Sequence, residues 1–227
     1  NNLRARGIFK DVNSKLIKGS SESERIVKID VVEKPTGEIS AGAGVGTSGG
    51  TIAFGIKENN YLGKGINLST NISIHEDSLK GNFDYVNPNF KNSDKSLILG
   101  VGATTLDKLQ DYGYQTEDKS FSLGTRYEQY EDVFFKPILS ISHENLVTNN
   151  TASSSLKNQE GEYFDANLFY EFDLDKRNQR FQTTSGYRSK FIQKLPIVSD
   201  NSAILNGYEF TNYLELVEDT ISSFSLY

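Results

Sequence analysis

Apolar and polar residues alternate along most of the chain after Gly37. Successive side chains of a β-strand point to opposite faces of a sheet, so this period of two predicts strands with one apolar face. About ten such segments lie between Glu38 and Glu218, separated by turns rich in Gly, Asn, Asp and Ser, and a further one begins at Ile221. The clearest segment contains Phe164, Ala166, Leu168, Tyr170 and Phe172. The pattern predicts an all-β, antiparallel protein with no convincing helix in this region.

The spacing and the chemistry of the two faces favour a transmembrane β-barrel over a soluble sandwich. The strands recur about every 18 residues, whereas turn signals in sandwiches recur about every 8–12. Barrel strands of about 9–11 residues, together with their turns, fit the longer spacing. The face opposite the apolar stripe carries Gly, Ser, Asn and Thr with scattered charges, as a wet lumen would. A large soluble β domain is the alternative.

Aromatic residues are predicted to lie toward the strand ends, where they would form the interfacial girdle of a membrane barrel. These residues are Phe54, Tyr61, Tyr85, Phe90, Tyr127, Phe135 and Phe172.

The first 35 residues follow a different pattern. Residues 3–12 predict a helix that ends at Gly7, with Ile8 and Phe9 as buried contacts. Residues 12–17 and 25–32 predict two strands around a polar turn. Pro35 blocks continued strand pairing, so we expect a boundary there between a domain of residues 1–35 and a domain of residues 36–227.

Composition narrows the possible functions. The chain has 24 basic and 30 acidic residues and a net charge of −6, so nucleic acid is not an expected partner. The absence of Cys excludes disulfide frameworks, thiol catalysis and Cys-based zinc sites. The chain begins with Asn1 and contains no Met, so we interpret it as a piece of a longer protein.

No constellation in the sequence predicts an active site, a cofactor site or a metal site. His75-Glu76-Asp77 and His143-Glu144 fit solvated strand ends better than metal or catalytic sites. Nothing places two carboxylates at an acid–base separation. We therefore do not expect an enzyme.

Gly44-Val45-Gly46-Thr47-Ser48-Gly49 matches the pattern G-x-G-x-x-G. A pyrophosphate loop of this kind needs a helix after it. The following residues, TIAFGIKE, alternate with period two and predict a second strand instead. Glycines 42, 44 and 46 share one face of the preceding strand, so we expect that strand to pair loosely.

Several segments together carry a family resemblance. The segment from Glu58 to Gly65 is similar to a family turn after the second barrel strand, through Asn60, Tyr61, Leu62, Gly63 and Gly65. Asn87-Pro88-Asn89-Phe90 resembles the turn after the fourth strand, and Thr183 to Arg188, with Gly186, resembles the Pro-Thr-x-Gly-x-Arg start of the ninth, although Thr183 replaces the usual Pro. Gly7 to Val12 resembles the last helix of a POTRA domain, and Arg25 to Pro35 resembles its final strand. The family is that of BamA, the outer-membrane protein assembly factors, within a superfamily of barrel assembly and translocation proteins.

The resemblance implies a fold and a location. It implies the C-terminal part of the last α+β POTRA domain, placed in the periplasm, followed by the first ten or so of about sixteen strands of an outer-membrane barrel. The rest of the barrel, including an inward loop with a Val-Arg-Gly motif, would follow Tyr227.

The resemblance also implies a function: ATP-independent folding and insertion of β-barrel proteins into the outer membrane. The first strand would be a lateral gate that pairs with clients through Glu38, Ile39, Ser40, Ala41, Gly42, Ala43, Gly44, Val45 and Gly46. The implied partners are unfolded outer-membrane barrel clients, accessory lipoproteins of the assembly (BAM) complex, periplasmic chaperones and membrane lipid. Two alternatives stay open, a secretion pore of the same superfamily that exports unfolded protein, and a soluble β-rich binding domain.

Overall fold

The computed structural model describes residues 8–21, 24–46, 49–180, 182–199, 203–217 and 220–227, which form two antiparallel sheets. The small sheet pairs β1 (Phe9–Lys18) with β2 (Arg25–Glu33). The large sheet has eleven strands. They are β3 (Gly37–Gly46), β4 (Gly49–Tyr61), β5 (Ile66–His75), β6 (Ser78–Asn87), β7 (Ser96–Lys108), β8 (Tyr114–Tyr130), β9 (Val133–Thr148), β10 (Gly161–Asp175), β11 (Gly186–Val198), β12 (Leu205–Val217) and β13 (Thr220–Leu226).

Each strand of the large sheet pairs with its neighbours in sequence, in the order β3 to β13. The ten strands that the sequence predicts after Gly37 are confirmed, and β13 is the further strand expected near Ile221. Within the described residues β3 pairs only with β4, and β13 pairs only with β12. The sheet is therefore open, as expected for a fragment of a barrel.

The predicted apolar stripes share one face of the sheet, which we call the outward face. Leucines of β7, β8, β9, β10 and β11 are direct cross-strand neighbours in one row: Leu99, Leu123, Leu139, Leu168 and Leu195. The buried apolar side chains among the described residues are few: Ile8, Ile66, Leu146, Ala152 and Ala166. The stripes are exposed and do not pack on a second layer, which is a far larger apolar surface than soluble proteins leave uncovered. The prediction of a membrane barrel is confirmed, and the soluble β domain is wrong.

Antiparallel pairing sorts the connections between strands onto two ends of the sheet. The end at which β3 begins, which we call the near rim, carries residues 34–36, 62–65, 88–95, 131–132 and 176–185. The opposite end, the far rim, carries residues 76–77, 109–113 and 149–160, including the one-turn helix α1 (Ser154–Lys157). A 3₁₀ turn, Phe90–Asn92, lies on the near rim. The described part of the chain contains no helix with the length and apolarity to cross a bilayer.

Aromatic side chains form a cross-strand row on the outward face. Tyr127, Phe135, Phe172 and Phe191 are successive neighbours on β8 to β11. The ring centroids of Phe135 and Phe172 stack at 4.6 Å, and Tyr127 meets Phe135 edge-on at 5.9 Å. The expected girdle is present here, but Phe54 lies in the middle of β4 because that strand extends from Gly49 to Tyr61. Its assignment to the girdle is wrong.

The small sheet corrects one expectation. The predicted strands around the polar turn are confirmed, and Ile8 is buried, whereas Phe9 is only half-buried. Residues 9–12, which resemble part of the last POTRA helix, lie in β1 and not in a helix. The physical reason is backbone pairing, since Phe9 is opposite Glu33 and Val12 is opposite Val31. The rest of the predicted helix, residues 3–7, lies outside the described residues. The domain boundary at Pro35 stays a prediction.

Charge on the outward face should destabilise the fold far more than charge on the inward face. Phe83 and Asn82 are adjacent in the middle of β6 and face opposite ways. We expect Phe83→Arg in the full-length protein to lower the free energy of unfolding by about 2–4 kcal/mol, the cost of arginine at the centre of a bilayer. Asn82→Arg, the matched control, should change it by less than about 1 kcal/mol. Urea unfolding in phospholipid vesicles, followed by circular dichroism, measures both, and equal destabilisation would contradict the assignment of the faces.

Candidate functional site

The candidate site is the free edge of β3. All ten residues of β3 are exposed, with 85% of Ile39 and 93% of Val45 accessible. One side of the strand pairs with β4 from Gly37↔Glu58 to Gly46↔Gly49. The other side has no partner strand within the described residues. A strand edge presents N–H and C=O groups to a further strand, so β3, like β13 at the opposite edge of this fragment, can pair with one.

The inward face of β3 is nearly bare, as the sequence predicts. A Cβ atom added at Gly42, Gly44 or Gly46 would meet no atom within 4 Å. The polar contact on this face is Ser40, whose Oγ donates to the carbonyl oxygen of Gly55 at 3.4 Å. On the inward face, therefore, few side-chain contacts add to the backbone hydrogen bonds between β3 and β4.

The G-x-G-x-x-G pattern is part of this hairpin. Gly44 and Gly46 lie in β3, and Gly49 begins β4. Thr47 and Ser48 lie outside the described residues. Because a strand and not a helix follows Gly49, the dinucleotide-loop interpretation is excluded, as the alternation of residues 51–58 predicts.

The near end of β3 is anchored to the family turn of Glu58 to Gly65 through Thr36, a residue that the sequence analysis missed. The Thr36 hydroxyl donates to the Glu58 carboxylate, and Asn59 Nδ2 donates to the Thr36 carbonyl oxygen at 3.5 Å. The Asn60 N–H donates to Glu58 Oε1 at 2.7 Å, and the Asn60 side-chain oxygen accepts from the Gly65 N–H at 2.7 Å. We call this set the near-rim clasp. It ties the start of β3 to the turn between β4 and β5.

The other motif turns lie along the near rim. Asn87 Oδ1 accepts from the Asn89 N–H at 3.2 Å and opens the turn that contains Pro88 and Phe90. At the start of β11, Gly186 has a φ of +98°, and a Cβ there would lie 2.2 Å from the carbonyl oxygen of Lys176. Glycine is therefore required at that position.

The motif turns do not converge on one pocket. The clasp turn adjoins β3, whereas the turn at Asn87 joins β6 to β7 and Gly186 begins β11. Asn60, Tyr61, Leu62, Gly63 and Gly65 are therefore the motif residues nearest the free edge.

A charged cluster crosses the inward face near the same rim. The Asp173 carboxylate, on a residue only 2% exposed, binds Arg188 through Nε at 2.7 Å and Nη2 at 2.8 Å. Arg126 Nη2 lies 3.4 Å from the same carboxylate, and its guanidinium stacks 4.0 Å above the ring of Phe134. The cluster links β8, β9, β10 and β11, so it braces the wall against shear between strands. No sequence signal joins these residues, because Arg126 is 47 residues from Asp173.

The connection 176–185 is held on the near rim by further contacts. The Lys176 ammonium lies 2.6 Å from Asp132 Oδ2, and this hydrogen bond raises the pKa of Lys176 above its ordinary value. Thr183 is buried, and its hydroxyl donates to the Gln179 carbonyl oxygen at 2.7 Å. Thr183 thus fixes the turn with a hydrogen bond at the position where the family motif has Pro.

The two histidines lie in different strands and have ordinary polar neighbours. His75 Nδ1 is 2.8 Å from the Thr51 hydroxyl, and His143 Nε2 is 3.6 Å from Glu162. Among the described residues, no group of three His, Cys, Asp or Glu side chains could hold a metal ion.

Comparison with known proteins gives one family and one fold. The Omp85 superfamily domain matches residues 60–226. The fold is similar to that of BamA from Haemophilus ducreyi lacking POTRA domains 1–3, with a TM-score of 0.67 and 22% identity over 96% of this chain. It is also similar to CdiB from Acinetobacter baumannii, with a TM-score of 0.56 and 13% identity over 96% of this chain. The chain spans 45% and 43% of those two proteins. No curated protein sequence matches it.

Loss of charge at Asp173 should weaken the wall. Asp173→Asn keeps the shape of the side chain but leaves Arg126 and Arg188 without a carboxylate, so we expect about 1–3 kcal/mol less stability in urea unfolding. Asp165→Asn changes the same residue type on the same face of β10 and serves as the control, with an expected loss below about 0.5 kcal/mol. Equal losses for both variants would show that the cluster does not brace the strands.

Proposed function

The chain belongs to the Omp85 superfamily, and from this membership we propose that its protein folds and inserts β-barrel proteins into the outer membrane through pairing at β3. The chain is part of a barrel-type outer-membrane protein with a fold similar to that of BamA. The single observation that carries the proposal is the glycine-lined inward face of β3, where Gly42, Gly44 and Gly46 offer no side chain to hold a neighbouring strand.

The recognition step is strand addition. A client segment of alternating apolar and polar residues pairs with β3 through backbone hydrogen bonds, which do not depend on the client's sequence. Its apolar residues then continue the outward stripe of Ile39, Ala41, Ala43 and Val45, and its polar residues face inward. One strand can therefore accept many different barrel proteins.

The free-energy cost of exchanging partners at this edge is small. Each backbone hydrogen bond that a closing strand loses is replaced by one to the client, so the net change per bond is near zero. Gly42, Gly44 and Gly46 offer no side chain to grip a closing strand. Release therefore needs no ATP, and the apolar surface that the client buries in lipid drives insertion.

The near-rim clasp gives the strand a fixed end. Thr36 and Glu58 hold the start of β3 to the end of β4, whereas Gly42, Gly44 and Gly46, toward the far rim, carry no side chain. We infer that β3 opens from the far rim while its near end stays attached.

The small sheet sets the orientation in this proposal. We assign residues 1–35 to the C-terminal part of a POTRA domain in the periplasm, followed by the barrel portion of residues 36–227. The near rim then faces the periplasm. Unfolded clients, chaperones and the accessory lipoproteins of an assembly complex would act at this side.

The alternative function, an export pore of the same superfamily, differs from an insertase in its expected ion conductance. An insertase accelerates barrel folding into liposomes and gives little steady conductance in a planar bilayer. Steady conductance of the full-length protein, without acceleration of folding, would replace the insertase with a pore.

Substitution of the β3 glycines should slow insertion. Gly44→Val fits without a clash and adds β-propensity and inward packing worth up to about 1 kcal/mol. We expect client insertion into liposomes to slow by up to about fivefold, because a closing strand is held more firmly. Val or Ile at Gly42 or Gly46 should act in the same direction.

The control is Gly81→Val, on the outward face of β6 inside the sheet, where an added Cβ also meets no atom within 4 Å. This variant should insert clients at the unmodified rate. Equal slowing by both variants, or by neither, would count against a gate at β3.

A further inference from the structure

A groove lies on the outward face at the near rim, and we propose that it binds one anionic phospholipid of the adjoining leaflet. This inference rests on the membrane placement of the outward face and not on client insertion.

The groove has a volume of about 720 Å³, within the range of small-molecule sites. Its wall consists of outward-facing residues of β7 to β10: Leu97, Leu123, Thr125, Pro137, Leu139 and Leu168. This lining is almost entirely apolar, so it suits an acyl chain.

The depression has a local cause in the strands. The β8–β9 pairing passes from Gly124↔Ile138 directly to Tyr127↔Phe135, because Pro137 has no N–H to donate. On its other side, toward β7, the Thr125 hydroxyl donates to the Ser96 carbonyl oxygen at 2.6 Å. The short side chains of Thr125 and Pro137 thus lie between the leucine row and the aromatic row, and leave space on the surface.

The turn between β6 and β7 closes the groove at the membrane surface. Phe90 lines it from that turn. The Phe90 N–H donates to the Lys95 carbonyl oxygen at 2.9 Å, and the Ser93 hydroxyl donates to the Phe90 carbonyl oxygen at 2.7 Å. Lys91 has a φ of +54°, which marks a tightly folded turn. The rim of the groove is therefore built from a hydrogen-bonded turn.

Two lysines supply the charge. Lys91 and Lys95 are exposed and line the groove at this rim. The Lys95 ammonium lies 5.2 Å from the ring centroid of Tyr127, a member of the aromatic row, and aromatic rows mark the headgroup level of a bilayer. The Lys95 ammonium therefore lies at the level of lipid phosphates, and both lysines line the rim of the apolar groove.

Charge complementarity selects the occupant. The turn has two lysines and one aspartate, Asp94, and therefore a net charge of +1. Asp94 is exposed but does not line the groove, so the charged side chains at the groove are both basic. A neutral lipid would fill the channel without using the lysines, and a free phosphate would use the lysines without filling the channel. A phospholipid with net negative charge uses both.

Native mass spectrometry of the full-length protein, released from nanodiscs of mixed phosphatidylglycerol and phosphatidylcholine, tests the site. We expect one phosphatidylglycerol to be retained in preference to phosphatidylcholine by about 5- to 30-fold, the range for one to two basic residues at a membrane surface. Lys91→Gln with Lys95→Gln should reduce the preference to about one to one. Thr125→Phe, which fills the channel, should abolish retention of both lipids.

Two controls separate the site from general effects. Lys34→Gln with Lys64→Gln removes two exposed lysines from the same rim but away from the groove, and should keep the preference. Thr125→Val removes the hydroxyl without filling the channel and should keep the lipid. The proposal is overturned if unmodified protein retains no lipid, if the control pair loses the preference equally, or if excess inorganic phosphate displaces the lipid. The rate of client insertion by the Lys91 and Lys95 variant is measured separately, because it tests the proposed gate at β3 and not the lipid site.

Discussion

Lipid cannot hydrogen-bond to a peptide group, so every backbone edge inside a bilayer must find a partner strand. The rest of the structure depends on this constraint. Within the described ranges, nine of the eleven strands of the large sheet are paired on both sides, and β3 and β13, the two edges of this fragment, are paired on one side. In the proposed function this constraint becomes a means of recognition at β3, because an edge that must be paired would accept a client strand in place of a closing one.

The sheet is asymmetric in a way that suits this role. Between β8 and β11 the wall is braced by the Asp173 cluster on its inward face and by stacked rings on its outward face. At β3, in contrast, the inward positions are mostly glycine. The near-rim clasp fixes only the near end of β3, through the hydrogen bond from Thr36 to Glu58. Because β8 to β11 are braced and β3 is not, opening of the sheet in this proposal is confined to the edge of β3.

The parts of the fold that follow local rules could be predicted from the sequence. Period-two alternation located the strands and their faces, and the free φ of glycine explains why Gly186 marks a turn. The misplaced helix at residues 9–12 arose because short apolar segments are compatible with both helix and strand, and pairing with Val31 and Glu33 decides the outcome. Contacts between distant positions, such as Thr36 with Glu58 or Arg126 with Asp173, depend on register across several strands. A single sequence carries no signal for them.

The most direct measurement of client pairing at β3 is disulfide cross-linking. The chain contains no cysteine, so Ser40→Cys and Ala41→Cys, on opposite faces of β3, can each be paired with a series of single cysteines along the last strand of a client stalled during insertion. The account predicts cross-links that alternate along the client, with inward positions joined to residue 40 and outward positions to residue 41. Client insertion without such cross-links, or equal cross-linking to Ser73→Cys in the interior strand β5, would contradict it.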